Sequence, residues 1–267
     1  HSSEPCAQAL CFDKNKKPKP GQLFFSRSEE IVEHTFDCLC KNDTPDIVLI
    51  SGDLTYNGER TSHDEMKAAL KKLQQKGKRV YVITATHDYT TPRMPTYGID
   101  KNDKYIEVES VKRTQLLKYY GDFGYNNAIA KHKSTMSYVA QLADGYRLFA
   151  LNDDYGDPDC GFSDELMNWV KTEANNAKRD GQYIIAMTHH PLVPPSPIYA
   201  AVAKGDMLNE YELRSKQLSD LGFDFVLTGH THMHNISYCK IGNKKFYDIS
   251  TAALTGFPPY YRQIVLN

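Results

Sequence analysis

Four apolar runs in this chain each deliver a chemistry-bearing side chain at their carboxyl end, and that recurrence constrains the fold more than any other feature. Ile47-Val48-Leu49-Ile50 leads to Ser51-Gly52-Asp53, and Val80-Tyr81-Val82-Ile83 leads to Thr86-His87-Asp88. Tyr183 to Met187 leads to Thr188-His189-His190-Pro191, and Phe223 to Leu227 leads to Gly229-His230-Thr231-His232. Continuous apolar runs this short mark strands buried on both faces.

Helical patterns separate the runs. Ile31, Val32, Phe36 and Leu39 keep helical spacing after Ser26-x-x-Glu29, and Met66, Leu70 and Leu73 do so after Ser62-x-x-Glu65. Both tetrads read as capping boxes, and Gly77 stops the second helix. Phe162 to Ala177 and Met207 to Leu221 read as further helices. Ser137 to Leu142 and Tyr146 to Leu151 read as a hairpin turned by Asp144-Gly145, and short strands are expected near Ile236, Phe246 and Ile264. Residues 89–127 are irregular apart from a short helical pattern at Val111 to Tyr120, and read as an insertion near the rim. Alternating strands and helices followed by hairpins predict an α/β fold in one domain, 1–267, with mixed sheets and helices outside. In such sheets ligands bind beyond the carboxyl ends of parallel strands, so Asp53, His87, His189 and His230 are expected at one rim.

Charge narrows the partners. Lys+Arg 32 against Asp+Glu 33 leaves a formal net charge of -1, which offers no basic stripe and no nucleic-acid-binding module. No apolar run reaches the roughly 18 residues of a transmembrane segment. Six cysteines show no metal-ribbon spacing; buried thiols are the simplest reading, with a Cys6–Cys11 disulfide as the alternative. Localisation stays open, leaning to bacterial periplasmic or extracytoplasmic, with cytoplasmic as the alternative.

His230-x-His232 places two imidazoles in a small volume after a glycine, which suits divalent metal ions, although such a pair on a loop is also ordinary. Asp53 follows a fully apolar strand, where an ionised carboxylate needs a partner; turn capping is the competing role. His34, His63 and His132 read as surface residues, His234 as solvent-facing, and His190 as at most a neighbour of ligands.

Taken together these blocks resemble the calcineurin-like metallophosphoesterases, whose pattern runs D-x-H, G-D, G-N-H-D/E, H, G-H-x-H. Gly52-Asp53, Thr86-His87-Asp88, His189 and Gly229-His230-Thr231-His232 match the last four blocks in order, and Gly52 to Glu59 is similar to the G-D-L-T-x-N-G-E stretch of one bacterial branch. The resemblance implies an α/β/β/α sandwich of two mixed sheets flanked by helices. It also implies hydrolysis of a phosphomonoester or phosphodiester by water activated at two divalent ions, manganese, iron, zinc or cobalt, about 3.5 to 4 Å apart. One ion would be held by His1, Asp53, His232 and an upstream aspartate, the other by Asp53, His189, His230 and whatever replaces the asparagine, with Thr86 in its position. His87 would protonate the leaving oxygen, with Asp88 orienting its ring. Tyr97 and Tyr199 are candidates to flank an organic leaving group. Two departures stand out: Thr86 replaces the family's amide, and no D-x-H precedes Asp53, so the domain reads as lacking its first strand and as stopping inside a strand-like run. The alternative function is a metal-binding protein of the same fold with weakened catalysis.

Overall fold

Period-two alternation along the strands sorts their side chains into two separate cores. In β1 (Ile47–Ser51), Val48 and Ile50 pack outward while Ile47 and Leu49 face the other way. In β2 (Arg79–Ile83), Val80 and Val82 join the first group and Tyr81 and Ile83 the second. Successive side chains of a strand point to opposite faces, so this division identifies two covered faces. These assignments come from a computed structural model that describes residues 27–41, 45–92, 95–99, 102, 104–154 and 159–266.

The outer face of β1 and β2 is covered by α1 (Ser28–Cys40), through Val32, Phe36 and Leu39, and by α2 (Arg60–Gln75), through Met66, Leu70 and Leu73. Within 89–127 lie a hairpin, β3 (Tyr97–Ile99) with β4 (Tyr105–Glu107), and the one-turn helix α3 (Leu116–Tyr120). Val111, Leu116, Tyr120 and Phe123 from this segment belong to the same core as α1 and α2.

The chain then builds a larger sheet from β5 (Ala130–His132), β6 (Ser137–Ala143) and β7 (Tyr146–Ala150). Helix α4 (Asp164–Arg179) crosses to β8 (Tyr183–Met187). The short α5 (Pro197–Val202) and then α6 (Tyr211–Asp220) lead to β9 (Phe225–Thr228), followed by β10 (Asn235–Ile241) and β11 (Lys244–Ser250). The seven strands run in the order β10-β11-β9-β8-β7-β6-β5, with β11, β9, β8 and β7 parallel to one another and β10, β6 and β5 joined antiparallel at the margins. Phe149, Ala186 and Val226 pack under α4 and α6, whereas Leu148, Ala150, Ile185 and Met187 meet Tyr81 and Ile83 from the small sheet. The layers are therefore helix, sheet, sheet, helix, with a large mixed sheet as the resemblance implied.

Several local expectations shift. Helix α2 begins at Arg60, ahead of the Ser62-x-x-Glu65 box, because the Glu59 carboxylate accepts from the Tyr56 and Asn57 amides and fixes the turn before it. Helix α6 starts at Tyr211 rather than near Met207, and Ile264 lies outside any strand. His63 and His132 are buried, not on the surface. Cys38, Cys40, Cys160 and Cys239 are free and at least partly exposed, not buried; Cys6 and Cys11 lie outside the described residues. Among the described residues no helix is long and apolar enough to cross a membrane.

Candidate metal centre

Parallel pairing of β1 with β2, and of β8 with β7 and β9, carries the ends of all five strands to one rim. Two glycines let the sheets meet there. A Cβ on Gly52, whose φ is +95°, would sit 2.6 Å from the Ala85 Cβ, and one on Gly229 would sit 2.9 Å from Ser51 Oγ. Any larger residue would force the loops apart.

Across this seam His189 Nδ1 meets the Ser51 carbonyl at 2.7 Å, so Nδ1–H donates and Nε2 is directed to the cluster. Nε2 lies 3.1 Å from Asp53 Oδ2 and 3.2 Å from His230 Nδ1. One ligand atom from each of Asp53, His189 and His230 falls within 4.8 Å of the others, the kind of nitrogen and oxygen set that holds a divalent ion. Asp53, His230 and His232 all have positive φ, of 54°, 57° and 55°. Left-handed backbone at three non-glycine residues costs roughly 1–3 kcal/mol each and is characteristic of positions fixed by function.

The same side chains perturb one another's charges. Burial works to raise Asp53, but His189, His87 and His230 bring its carboxyl below the ordinary range. Burial works to lower His189, but Asp53 and Asp153 draw it up to about 10. Burial and the two neighbouring histidines press His230 down to about 3, a neutral imidazole. His232 is also lowered, chiefly by burial, in the field of Asp53, His189 and His87.

His87 is anchored differently from expectation. Its Nδ1 donates to the Tyr56 carbonyl at 2.5 Å, with Asn57 Oδ1 at 3.1 Å, and its backbone N–H donates to Asp53 Oδ1. Asp88 does not orient the ring: its carboxylate accepts from the backbone amides of Asp53, Leu54, Thr55 and Ala85 at 2.6 to 3.1 Å. Burial and the Asp53 charge push Asp88 up to about 7, while those amides favour its anion. Thr86 is half-buried on the one-turn 3-10 segment Thr86–Asp88, and His1 lies outside the described residues. Tyr97 packs edge-on to Tyr105, Tyr199 donates to Asp206, and His234 is exposed beside Tyr260.

The family model for calcineurin-like phosphoesterases matches residues 25–234. The chain belongs to the calcineurin-like phosphoesterase family. The general chemistry of the family is metal-dependent hydrolysis of phosphoesters. The fold is similar to the crystal structure of a dimetal phosphatase from Danio rerio, with TM-score 0.59 and 10% identity over 88% of this chain and 80% of that one. A phosphopantetheinyl hydrolase from Mycobacterium tuberculosis also aligns, with TM-score 0.41 and 12% identity over 81% of this chain and 84% of that one. No curated protein matches the chain in sequence.

In this phosphoesterase the rim holds further residues that sequence reasoning passed over. Asn152-Asp153-Asp154 follows the buried end of β7, the same signal that singled out the other four strands, but there it was read only as the end of a hairpin. Asn152 Oδ1 accepts from the Thr84 amide and ties the two sheets together beside His87. Asp154 is buried with neither carboxylate oxygen bonded among the described residues, and burial, Asp153 and Asp88 raise it well above the ordinary carboxylate value. Asp248, inside β11, accepts from the Leu192 and Val193 amides and from Thr228 Oγ1 at 2.5 to 3.1 Å, fixing the loop beyond His190.

Proposed function

We propose that this phosphoesterase hydrolyses a phosphomonoester or phosphodiester at two divalent ions, drawn from manganese, iron, zinc or cobalt, with Asp53, His189, His230 and His232 as ligands. Asp53 serves as the shared ligand. One observation carries the reading: the converging donor atoms of Asp53, His189 and His230, with His189 Nδ1 already committed to a carbonyl. Bound ions supply a water of lowered pKa and offset charge on the phosphoryl oxygens.

The chain's own residues do the rest. Asp53 uses Oδ1 to hold the His87 backbone, so the ligand and the proton donor keep a fixed spacing. His87, anchored through Nδ1, offers Nε2 to the leaving oxygen and hands it a proton when that nitrogen carries one. Asp88 is a positioning residue that gathers the loop bearing Asp53 onto the turn bearing His87. Thr86 supplies a hydroxyl where the family has an amide, and His1 remains a proposed ligand.

The test is turnover of para-nitrophenyl phosphate and bis-para-nitrophenyl phosphate with manganese, zinc or chelator, with metal counted on the same samples. Chelator is expected to abolish turnover, and Asp53→Asn to abolish both turnover and bound metal. His87→Ala is expected to keep metal and lose about 10²- to 10⁴-fold in kcat. Turnover indifferent to chelator defeats the reading. The position of Thr86 favours a second one, a metal-binding protein with weakened catalysis; bound metal without turnover on either ester, restored by Thr86→Asn, selects it.

A further inference from the structure

Asp153 and His190 have no part in the chemistry above, yet both are almost completely enclosed, at 0% and 2% exposure. Asp153 follows β7 and His190 follows β8, which are parallel neighbours, so the two reach the rim side by side. Asp153 Oδ2 accepts from Thr188 Oγ1 at 2.9 Å and from the His190 backbone N–H at 2.7 Å. One carboxylate oxygen thus clamps both sides of His189.

The other oxygen is available for the imidazole. Asp153 Oδ1 stands 3.3 Å from His190 Nδ1, and neither atom has a well-directed hydrogen bond. That spacing is within reach of an N–H···O bond once the ring turns to direct it, and neither atom has another partner among the described residues. The ring also packs on two histidines: its centroid is 4.1 Å from that of His230 with a 41° tilt, and 5.1 Å from that of His189. His190 is therefore a wedge between a buried carboxylate and two proposed metal ligands.

Building on the two-metal reading, we propose that Asp153 and His190 are a positioning pair, in which the carboxylate keeps a proton on His190 Nδ1 and presses the ring against His230. His230 then presents Nδ1 beside His189 Nε2 in one orientation. Neither residue needs to touch substrate. The arrangement follows the general logic by which a carboxylate behind an imidazole fixes ring and tautomer, here one step further from the metal.

Asp153→Asn separates this role from simple support. The Thr188 hydroxyl and the His190 N–H both need an acceptor, so the new carbonyl oxygen stays with them and the amide NH₂ faces His190 Nδ1. Two donors then oppose each other unless the proton leaves Nδ1. On metal-free protein labelled with ¹⁵N-histidine, native His190 is expected to carry its proton on Nδ1, and Asp153→Asn to move it to Nε2. With zinc alone in calorimetry, Asp153→Asn is expected to weaken one zinc equivalent about 10- to 100-fold. His190→Gln guards against a folding artefact, because its amide still donates to Asp153 while the ring is gone. It is expected to show a similar loss, and the double variant no larger one. A native His190 lacking the Nδ1 proton, unchanged zinc affinity in Asp153→Asn, or additive losses would each overturn the pair. A native protein that binds no zinc defeats the metal reading instead, and the labelling experiment on metal-free protein still decides the pair.

Discussion

The two sides of the rim solve one problem with unequal resources. On the small sheet, β1 and β2 deliver Asp53 and His87 into loops gathered mainly by Asp88, which accepts four backbone amides, with Glu59 accepting two more. On the seven-stranded sheet, the loop beyond β8 is held from two other strands, by Asp153 after the adjacent β7 and by Asp248 in β11, which lies beyond β9. Both sides use a buried carboxylate to satisfy main-chain N–H groups that would otherwise be stranded away from water. The small-sheet side concentrates four amides on Asp88, and the large-sheet side divides its amides between Asp153 and Asp248.

The sharpest way to break that comparison is Asp88→Ala. Four amides lose their acceptor at roughly 1–3 kcal/mol each, so a loss of at least about 4 kcal/mol is expected in urea denaturation. Asp88→Asn keeps an acceptor oxygen and should cost less than Asp88→Ala. If Asp88→Ala is no worse than Asp248→Ala, the two sides are braced equally and the contrast fails.

A second effect, of about 3 kcal/mol, should appear as the part of the pH dependence that His63 contributes on the small-sheet side. His63 is fully enclosed, with Nε2 2.9 Å from the Asp88 carbonyl and Nδ1 2.6 Å from the Tyr120 hydroxyl, a neutral tautomer with both nitrogens partnered. Burial lowers its pKa from 6.5 to about 4. Between those values the unfolded chain takes up a proton that the folded one refuses, so this contribution is present above pH 6.5 and is lost as pH falls towards 4. Thermal unfolding of the native protein and of His63→Gln across that range should diverge near neutrality and converge in acid. Parallel curves would show that His63 does not control the acid limb.

The smallest expected change is Asp248→Asn. Its carbonyl can still accept from the Leu192 and Val193 amides while its NH₂ faces the Thr228 hydroxyl, which accepts as readily as it donates. A loss of about 1–2 kcal/mol is expected in urea, with little effect on turnover. A cost matching that of Asp88→Ala would mean that Asp153 does not share the load.

What the sequence revealed and what it hid divide along the same physical line. Strands and the candidate site residues at their ends were legible because burial on both faces leaves a run of apolar residues, and the polar residue that ends the run has nowhere else to go. Mixed sheets with helices outside were legible from the alternation of strands and helices, whereas the four-layer sandwich was what the family resemblance implied. The start of α2 was not legible, since Glu59 spends its carboxylate on the preceding turn and the downstream Ser62-x-x-Glu65 only looks like a cap. Asp248 was hidden for a different reason: its partners, the Leu192 and Val193 amides, come from another part of the chain, and no local pattern marks an acceptor whose donors lie elsewhere; Asp153 carries the strand-end signal, but its partner His190 does not show in it. The role given to Asp88 erred likewise, because sequence adjacency suggested His87 as its partner while the backbone of the facing loop was closer.

The split of β8 into two faces has a consequence for how this protein tolerates change in length. Ile184 and Ala186 face one core, Ile185 and Met187 the other, and His189 follows in phase with them. Removing one residue from β8 would exchange the two faces and turn the imidazole away from Asp53, even if the altered strand still found enough apolar contact to fold. One residue removed from the exposed stretch around Ile198 to Val202 carries no such penalty. Position along the chain is thus read by the centre as parity: chemistry at this rim depends on whether the count of residues in a buried strand is odd or even.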